Sequence, residues 1–176
     1  SLEAYMNRSF VLFFALLMVA CGGRQSVLME DANQGAVDAD KAQSLAAEAQ
    51  ELWADRGNLD KTKAAIAKWK EAAAADASNP QYQRELSNAY YFLNNVHVRW
   101  DKNNRDAKEL ANYAAGVDAA ERSLMLANPA FAALIKSGED SDASWKVALK
   151  SARKEDVKTL YWYAVHLAKW AKADSI

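Results

Sequence analysis

Apolar residues recur at helical spacing along most of this chain, and short polar breaks divide the pattern into separate segments. The pattern predicts helices over residues 41–56, 60–76, 80–100, 105–127, 129–136, 142–149 and 154–172. Asp60 is expected to cap the second helix, and Gly57 is expected to end the first in a left-handed conformation. No stretch alternates between apolar and polar residues for long enough to predict a strand. The sequence therefore predicts an all-α fold.

Two Asn-Pro pairs, at 79–80 and 128–129, end one helix and start the next. In each pair the asparagine is predicted to cap the new helix, and the proline stands in the first turn, where its missing N–H costs nothing. Helices paired in this way, with small residues such as Gly116 and Ala120 where they cross, are typical of degenerate tetratricopeptide-like (TPR-like) repeats in an α-α superhelix. A closed antiparallel bundle would show part of the same periodicity and stays open as an alternative.

The N-terminal part of the chain has the pattern of a bacterial secretion signal. Met-Asn-Arg is followed by a short uncharged run over residues 9–20 and then by Cys21. The run is shorter than the ~20 residues that span a bilayer, which argues against a transmembrane helix. Met-Val-Ala-Cys resembles the lipobox of bacterial lipoproteins, in which the cysteine is diacylated. We therefore predict upstream residues and a lipoprotein signal peptide over 1–21, a flexible tether over 22–40 and a helical domain over 41–176.

The amino-acid composition argues against several classes of function. The formal net charge is −1, with a sequence pI of about 6.1, so the strongly basic stripe of a nucleic-acid-binding protein is missing. Cys21 is the single cysteine, so we expect no disulfide. The two histidines, His97 and His166, have no His or Cys neighbour at metal-ligand spacing. With no phosphate-binding loop and no nucleophile motif either, we predict a protein that is not an enzyme and needs no metal or cofactor.

Runs of aromatic residues supply the best candidates for a binding site. Adjacent residues on a helix point in different directions, so the rings of Tyr-Tyr-Phe and Tyr-Trp-Tyr cannot all face one core. One interpretation is that they pack both sides of a helical array. The other places some of them in a cleft for an apolar ligand or partner segment. The residues predicted for that cleft are Tyr90, Tyr91, Asn94, His97, Trp100 and Trp162.

A basic helical face near the C-terminal end carries Lys146, Lys150, Arg153 and Lys154. A solvated surface is the simpler interpretation of such a face. Contact with anionic headgroups or with an acidic partner is the alternative.

The order of these landmarks resembles one transporter-associated family. The lipobox is followed by Asp-Ala-Ser-Asn-Pro, then by Ala-Glu-Arg-Ser-Leu-Met-Leu-Ala-Asn-Pro ending at Pro129, and finally by Leu-Tyr-Trp-Tyr-Ala starting at Leu160. The chain is similar along most of its length to the T-component family associated with tripartite ATP-independent periplasmic (TRAP) transporters.

The resemblance implies a periplasmic lipoprotein of degenerate TPR-like repeats that associates with the transporter's solute-binding subunit. It also implies trimers and a channel or cleft through each protomer. Family members continue beyond the helix that matches 154–172, so we expect this chain to be truncated at its C-terminus, with one face of that helix uncovered. Gly22, rather than an acidic residue, follows the cysteine, which favours the outer membrane, facing the periplasm. A repeat lipoprotein that scaffolds the cell envelope without a transport role is the alternative.

Overall fold

The computed structural model describes residues 26–28, 30, 37–103, 105–138 and 142–174, and Cys21 lies outside them. Within these ranges all regular structure is helical, which confirms the predicted all-α class. The α-helices are α1 (Ala39–Ala54), α2 (Leu59–Ala75), α3 (Pro80–Phe92), α4 (Arg105–Ala127), α5 (Pro129–Ser137), α6 (Asp142–Ala148) and α7 (Val157–Asp174). Among the described residues no helix is both long and apolar enough to cross a membrane.

Single asparagine side chains cap the starts of α2, α3 and α5. Asn79 Oδ1 accepts from Gln81 N at 3.0 Å and Asn128 Oδ1 accepts from Phe131 N at 3.0 Å, with proline in the first turn each time, as predicted. The cap of α2 was predicted wrongly: Asn58, not Asp60, accepts from the first-turn amides. Gly57 is also not left-handed, because α1 closes instead through the Asp55 N–H, which bonds Leu52 O at 3.2 Å.

The third helix is not α-helical as far as Trp100. After Phe92 the chain widens into a π-helical segment, Leu93–His97, and then tightens into a 3-10 turn, Val98–Trp100. The amide of the fully buried Asn94 donates to Glu109 O on α4 at 2.9 Å and accepts from Asn112 at 2.8 Å. The wide turn thus allows a polar side chain to be satisfied inside the α3–α4 contact.

The first four helices pack on their neighbours in the chain, and α7 packs back on α4. α1 packs on α2 and α3 on α4, while α2 contacts α3 and α4 contacts α7. Small residues lie at the α3–α4 contact, as expected: Ser87 Oγ donates to Gly116 O at 2.8 Å, and Ser123 Oγ donates to Pro80 O at 3.0 Å. Trp53 and Trp69 meet edge to face, with ring centroids 5.4 Å apart, in the core of the first two helices. A second, smaller core surrounds Phe131 between α4, α5 and α6.

Part of the predicted tether lies against the domain. Leu28 is fully buried in the second core, and Val27 is 7% exposed. The carboxylate of Glu121, itself 1% exposed, accepts from Val27 N at 2.9 Å and from Ser26 Oγ at 3.1 Å. We call the described residues of this segment, 26–28 and 30, the N-terminal strap. At these positions the chain is packed rather than free, and residues 39 and 40 already belong to α1.

The last helix is covered on one face. Thr159 and His166 are its buried residues, whereas Val157 and Tyr161 are 60% and 56% exposed. Trp162 and Tyr163 are half-buried. Val157 and Tyr161 thus form an exposed apolar strip on this helix.

Candidate binding cleft

A cleft of about 610 Å³ opens between the helix pairs. Its floor is made of small and apolar side chains because alanines occupy the facing positions of α2 and α4. The helical residues that line it are Lys70, Ala73 and Ala74 of α2, Gln83, Leu86 and Tyr90 of α3, Ala115, Asp118, Ala119, Arg122, Met125 and Leu126 of α4, and Ala132 and Lys136 of α5. Ala77, just after α2, lines it too. The volume falls within the range of ordinary ligand pockets.

Two cationic side chains at the cleft, Lys70 and Arg122, interact with neighbouring residues. The ammonium of Lys70 lies 5.6 Å from the ring centroid of Tyr90, in a cation–π arrangement. Arg122 Nη2 lies 2.9 Å from Glu30 Oε2. An apolar floor with a charged border suits an amphipathic segment whose apolar side faces the alanines.

The N-terminal strap forms one side of this cleft. Val27 and Glu30 both line it, and both belong to a segment anchored by Glu121 and by burial of Leu28. Because Glu121 and Arg122 are adjacent on α4, one turn of that helix binds the strap at two points. The shape of the cleft therefore depends on a segment remote in sequence from α4.

Of the six residues predicted for a cleft, Tyr90 lines this one. Tyr91 and Trp162 instead meet each other between α3 and α7, with ring centroids 5.3 Å apart. Asn94 is buried in the contact with α4 described above. The predicted set is thus divided between different sides of α3 and does not surround one space.

His97 and Trp100 lie apart from both groups. His97 Nε2 is 2.9 Å from Arg56 O and 3.3 Å from Thr62 Oγ1, so this side chain joins the end of α3 to the α1–α2 loop. Trp100 is 72% exposed, and the Arg99 guanidinium lies 5.5 Å from its ring centroid.

His166 forms the most unusual polar site in the described residues. It is fully buried, and its Nε2 lies 2.8 Å from Ser87 O. A carbonyl only accepts, so Nε2 carries the hydrogen. Burial lowers the pKa of His166 to about 4, which keeps the ring neutral near pH 7. Nδ1 is then an unprotonated acceptor, and it has no hydrogen-bond partner among the described residues.

Aromatic side chains surround this imidazole. The ring centroids of Tyr91 and Tyr113 lie 5.8 Å and 5.9 Å from that of His166, both edge to face. Burial also raises the pKa of the Tyr113 hydroxyl. The cluster joins α3, α4 and α7, and its role is packing: it fixes the position of α7 on the α3–α4 pair.

The charged residues of the cleft were missed at the level of sequence. Lys70, Arg122 and Glu30 lie in three separate segments, and each is an ordinary exposed charge by itself. The sequence did contain one indication of the cleft. Ala115, Ala119 and Arg122 share one face of α4, and two alanines on that face leave space beside the helix. No group of three or more His, Cys, Asp or Glu side chains in the described part of the chain is arranged to hold a metal ion.

Comparison with known proteins adds no relative to this picture. No family model, no curated protein and no solved structure matches the chain.

Proposed function

We propose that this protein is a non-catalytic, membrane-anchored periplasmic adaptor, built from degenerate TPR-like helix pairs, that serves a TRAP-type solute uptake system. In this proposal it contacts the solute-binding subunit through the cleft between α2, α3, α4 and α5. The observation that carries the proposal is this cleft of about 610 Å³, whose alanine floor and charged border suit a partner segment.

The packing order supports the repeat interpretation. The first two helix pairs contact each other in chain order, as stacked repeats do, whereas α7 packs back on α4. Ala65, Ala72 and Ala120 are fully buried, so small residues stand where the axes come close. The motifs quoted above from Asn79 to Pro129 supply the link to the T-component family.

Diacylation of Cys21 would hold the protein at the outer membrane, facing the periplasm. Two acyl chains bind a bilayer far more firmly than one. Trimerisation, which the resemblance implies, belongs to the same proposal, with the uncovered face of α7 as an available surface.

The alternative is a lipoprotein scaffold for the cell envelope without a transport role. The helix pairs and the lipid anchor suit both functions. Gene neighbourhood separates them, since adjacent genes for TRAP membrane and solute-binding subunits favour the adaptor.

The direct experiment mixes the full-length protein with the solute-binding subunit encoded beside it. A complex at micromolar concentrations, observed by co-elution in size-exclusion chromatography, is the expected result. Separate elution at those concentrations would contradict the adaptor function and favour the scaffold.

A further inference from the structure

Exposed apolar and basic side chains lie together around the end of α6. Val147 and Leu149 are 47% and 44% exposed, on either side of the buried Ala148. The start of α7 adds Val157, which is 60% exposed. We define the α6 patch as Lys146, Val147, Leu149, Lys150, Lys154 and Val157, all of which are exposed.

Among its described side chains this patch carries three positive charges. Lys146, Lys150 and Lys154 form no ion pair with any described residue, in contrast to Arg153, whose Nη2 lies 3.1 Å from Asp156 Oδ1. Glu155 is an exposed acidic side chain beside them. Lysines around exposed apolar residues are the composition of surfaces that bind anionic lipid, where the apolar groups enter the headgroup layer.

The N-terminal strap packs into the same buried cluster as the patch helix. Leu28 of the strap and Ala148 of the patch helix belong to one buried cluster, together with Phe131. Ser26 is held by Glu121 and follows Cys21 by five residues in the sequence. Five residues reach at most ~18 Å when fully extended. A lipid on Cys21 would therefore hold the strap within this distance of the membrane.

We propose that the α6 patch lies flat against the anionic membrane surface in which the Cys21 acyl chains are inserted. The proposal rests on the lipidation included in the proposed function. The strap sets the distance, the lysines attract anionic headgroups, and Val147 and Leu149 enter the interfacial layer. The cleft, of which the strap is one side, then stands beside the membrane rather than at the end of a long tether.

The test uses the acylated full chain inserted in vesicles of phosphatidylcholine and phosphatidylglycerol that carry a nitroxide on the headgroups. One fluorophore is attached at Leu149→Cys or, as a control, at Asp60→Cys. Asp60 is at the end of α2 opposite the cleft, about 20 Å away along the helix axis. The acylated Cys21 has no free thiol, so only the introduced cysteine is labelled.

Strong quenching at position 149 and weak quenching at position 60 is the expected result. Each lysine near an anionic surface raises the ratio of docked to undocked protein about fivefold. The variant Lys146→Gln/Lys150→Gln/Lys154→Gln should therefore lower that ratio roughly a hundredfold. The matched variant Lys41→Gln/Lys61→Gln/Lys63→Gln removes the same charge from α1 and α2 and leaves the quenching unchanged.

Two results would overturn the proposal, and they differ from each other. If mass spectrometry shows acylated Cys21 but positions 149 and 60 are quenched equally, the docking is wrong while the anchor stands. A Cys21 without acyl chains would remove the anchor and the docking together. If the patch instead binds an acidic protein, the first of these results is expected, because the domain would then take no fixed orientation on the vesicle surface.

Discussion

The imidazole of His166 on α7 occupies the space in which a side chain at Gly116 of α4 would stand. A Cβ on Gly116 would lie 2.1 Å from His166 Cε1 and 2.3 Å from Nδ1. Ser87 on α3 closes the site, because its hydroxyl donates to Gly116 O while its carbonyl accepts from the imidazole. Three helices thus meet at one residue that has no side chain.

Substitution of Gly116 should therefore destabilise the fold. Gly116→Ala forces the ring or the helix to move and should lower the free energy of unfolding by about 1–3 kcal/mol, and Gly116→Leu or Ala120→Leu by more. Denaturant melts provide the measurement. Ala47→Leu, on the exposed face of α1, is the control and should stay within about 0.5 kcal/mol of the parent. Equal midpoints for the buried and exposed variants would mean that the assigned helix crossing is wrong.

The neutral state of His166 should make stability depend on pH. The pKa of His166 is about 4 in the folded protein, against 6.5 for the free side chain. The unfolded chain binds the proton first, so stability is complete above about pH 6.5 and falls as the pH is lowered towards 4, by roughly 3 kcal/mol in total. Urea melts across this range should show the loss in the parent and in His97→Gln, but a much smaller loss in His166→Phe. A parent whose midpoint is constant over the range would contradict the neutral buried imidazole.

The N-terminal strap should become less firmly bound when the hydrogen-bond acceptor Glu121 is removed. Glu121→Ala deletes the acceptor of Val27 N and Ser26 Oγ. Loss of a hydrogen bond to a charged group corresponds to about 1.5–3 kcal/mol, so exchange of the Val27 amide hydrogen should become roughly 10–100 times faster. Glu48→Ala, which removes a surface carboxylate paired with Lys68, is the matched control and should leave that amide unchanged. Similar rates in both variants would show that Glu121 does not hold the strap.

Lipidation of the chain is tested at its single cysteine. Cys21→Ala removes the thiol that would carry the acyl chains, and the apolar run before it is too short for a stable span. Cells fed a palmitate analogue should label the parent protein and not the variant. Equal labelling of the two would place the lipid elsewhere and remove the proposed anchor.

Local features were predictable from sequence because their chemistry is local. The caps at Asn79 and Asn128 use the residue's own side chain and the next few amides, so the Asn-Pro pairs marked two helix starts correctly. Asn58 and Asp60 both have capping side chains, and sequence alone gave no reason to prefer the residue two positions earlier. The π-helical segment was missed because Asn94 turns inwards to a carbonyl of α4, fifteen residues away.

Contacts between segments distant in the chain could not be predicted from the sequence. Glu121 looks like an ordinary charge on α4, and its burial follows only from the strap, 94 residues away from it at Val27. His97 and Tyr90 were assigned to one site since both fall in the helix predicted over 80–100, whereas the widened turn brings His97 to the α1–α2 loop. The alternation of small and large residues indicated that helices cross closely, but it did not show that a histidine fills the space over Gly116.

The cleft between α2, α3, α4 and α5 is the proposed binding site for the solute-binding subunit. Ala74 lines this cleft and is itself exposed, so Ala74→Trp fills the cleft without disturbing a core, while Ala47→Trp adds the same ring to an exposed position on α1. The measurement is the Kd of each variant for the subunit by calorimetry, with thermal melts to verify that both are folded. Ala74→Trp should weaken binding at least tenfold, whereas Ala47→Trp should leave the Kd unchanged. Equal affinity of the two folded variants, or no binding by the parent protein, would contradict the proposed binding site.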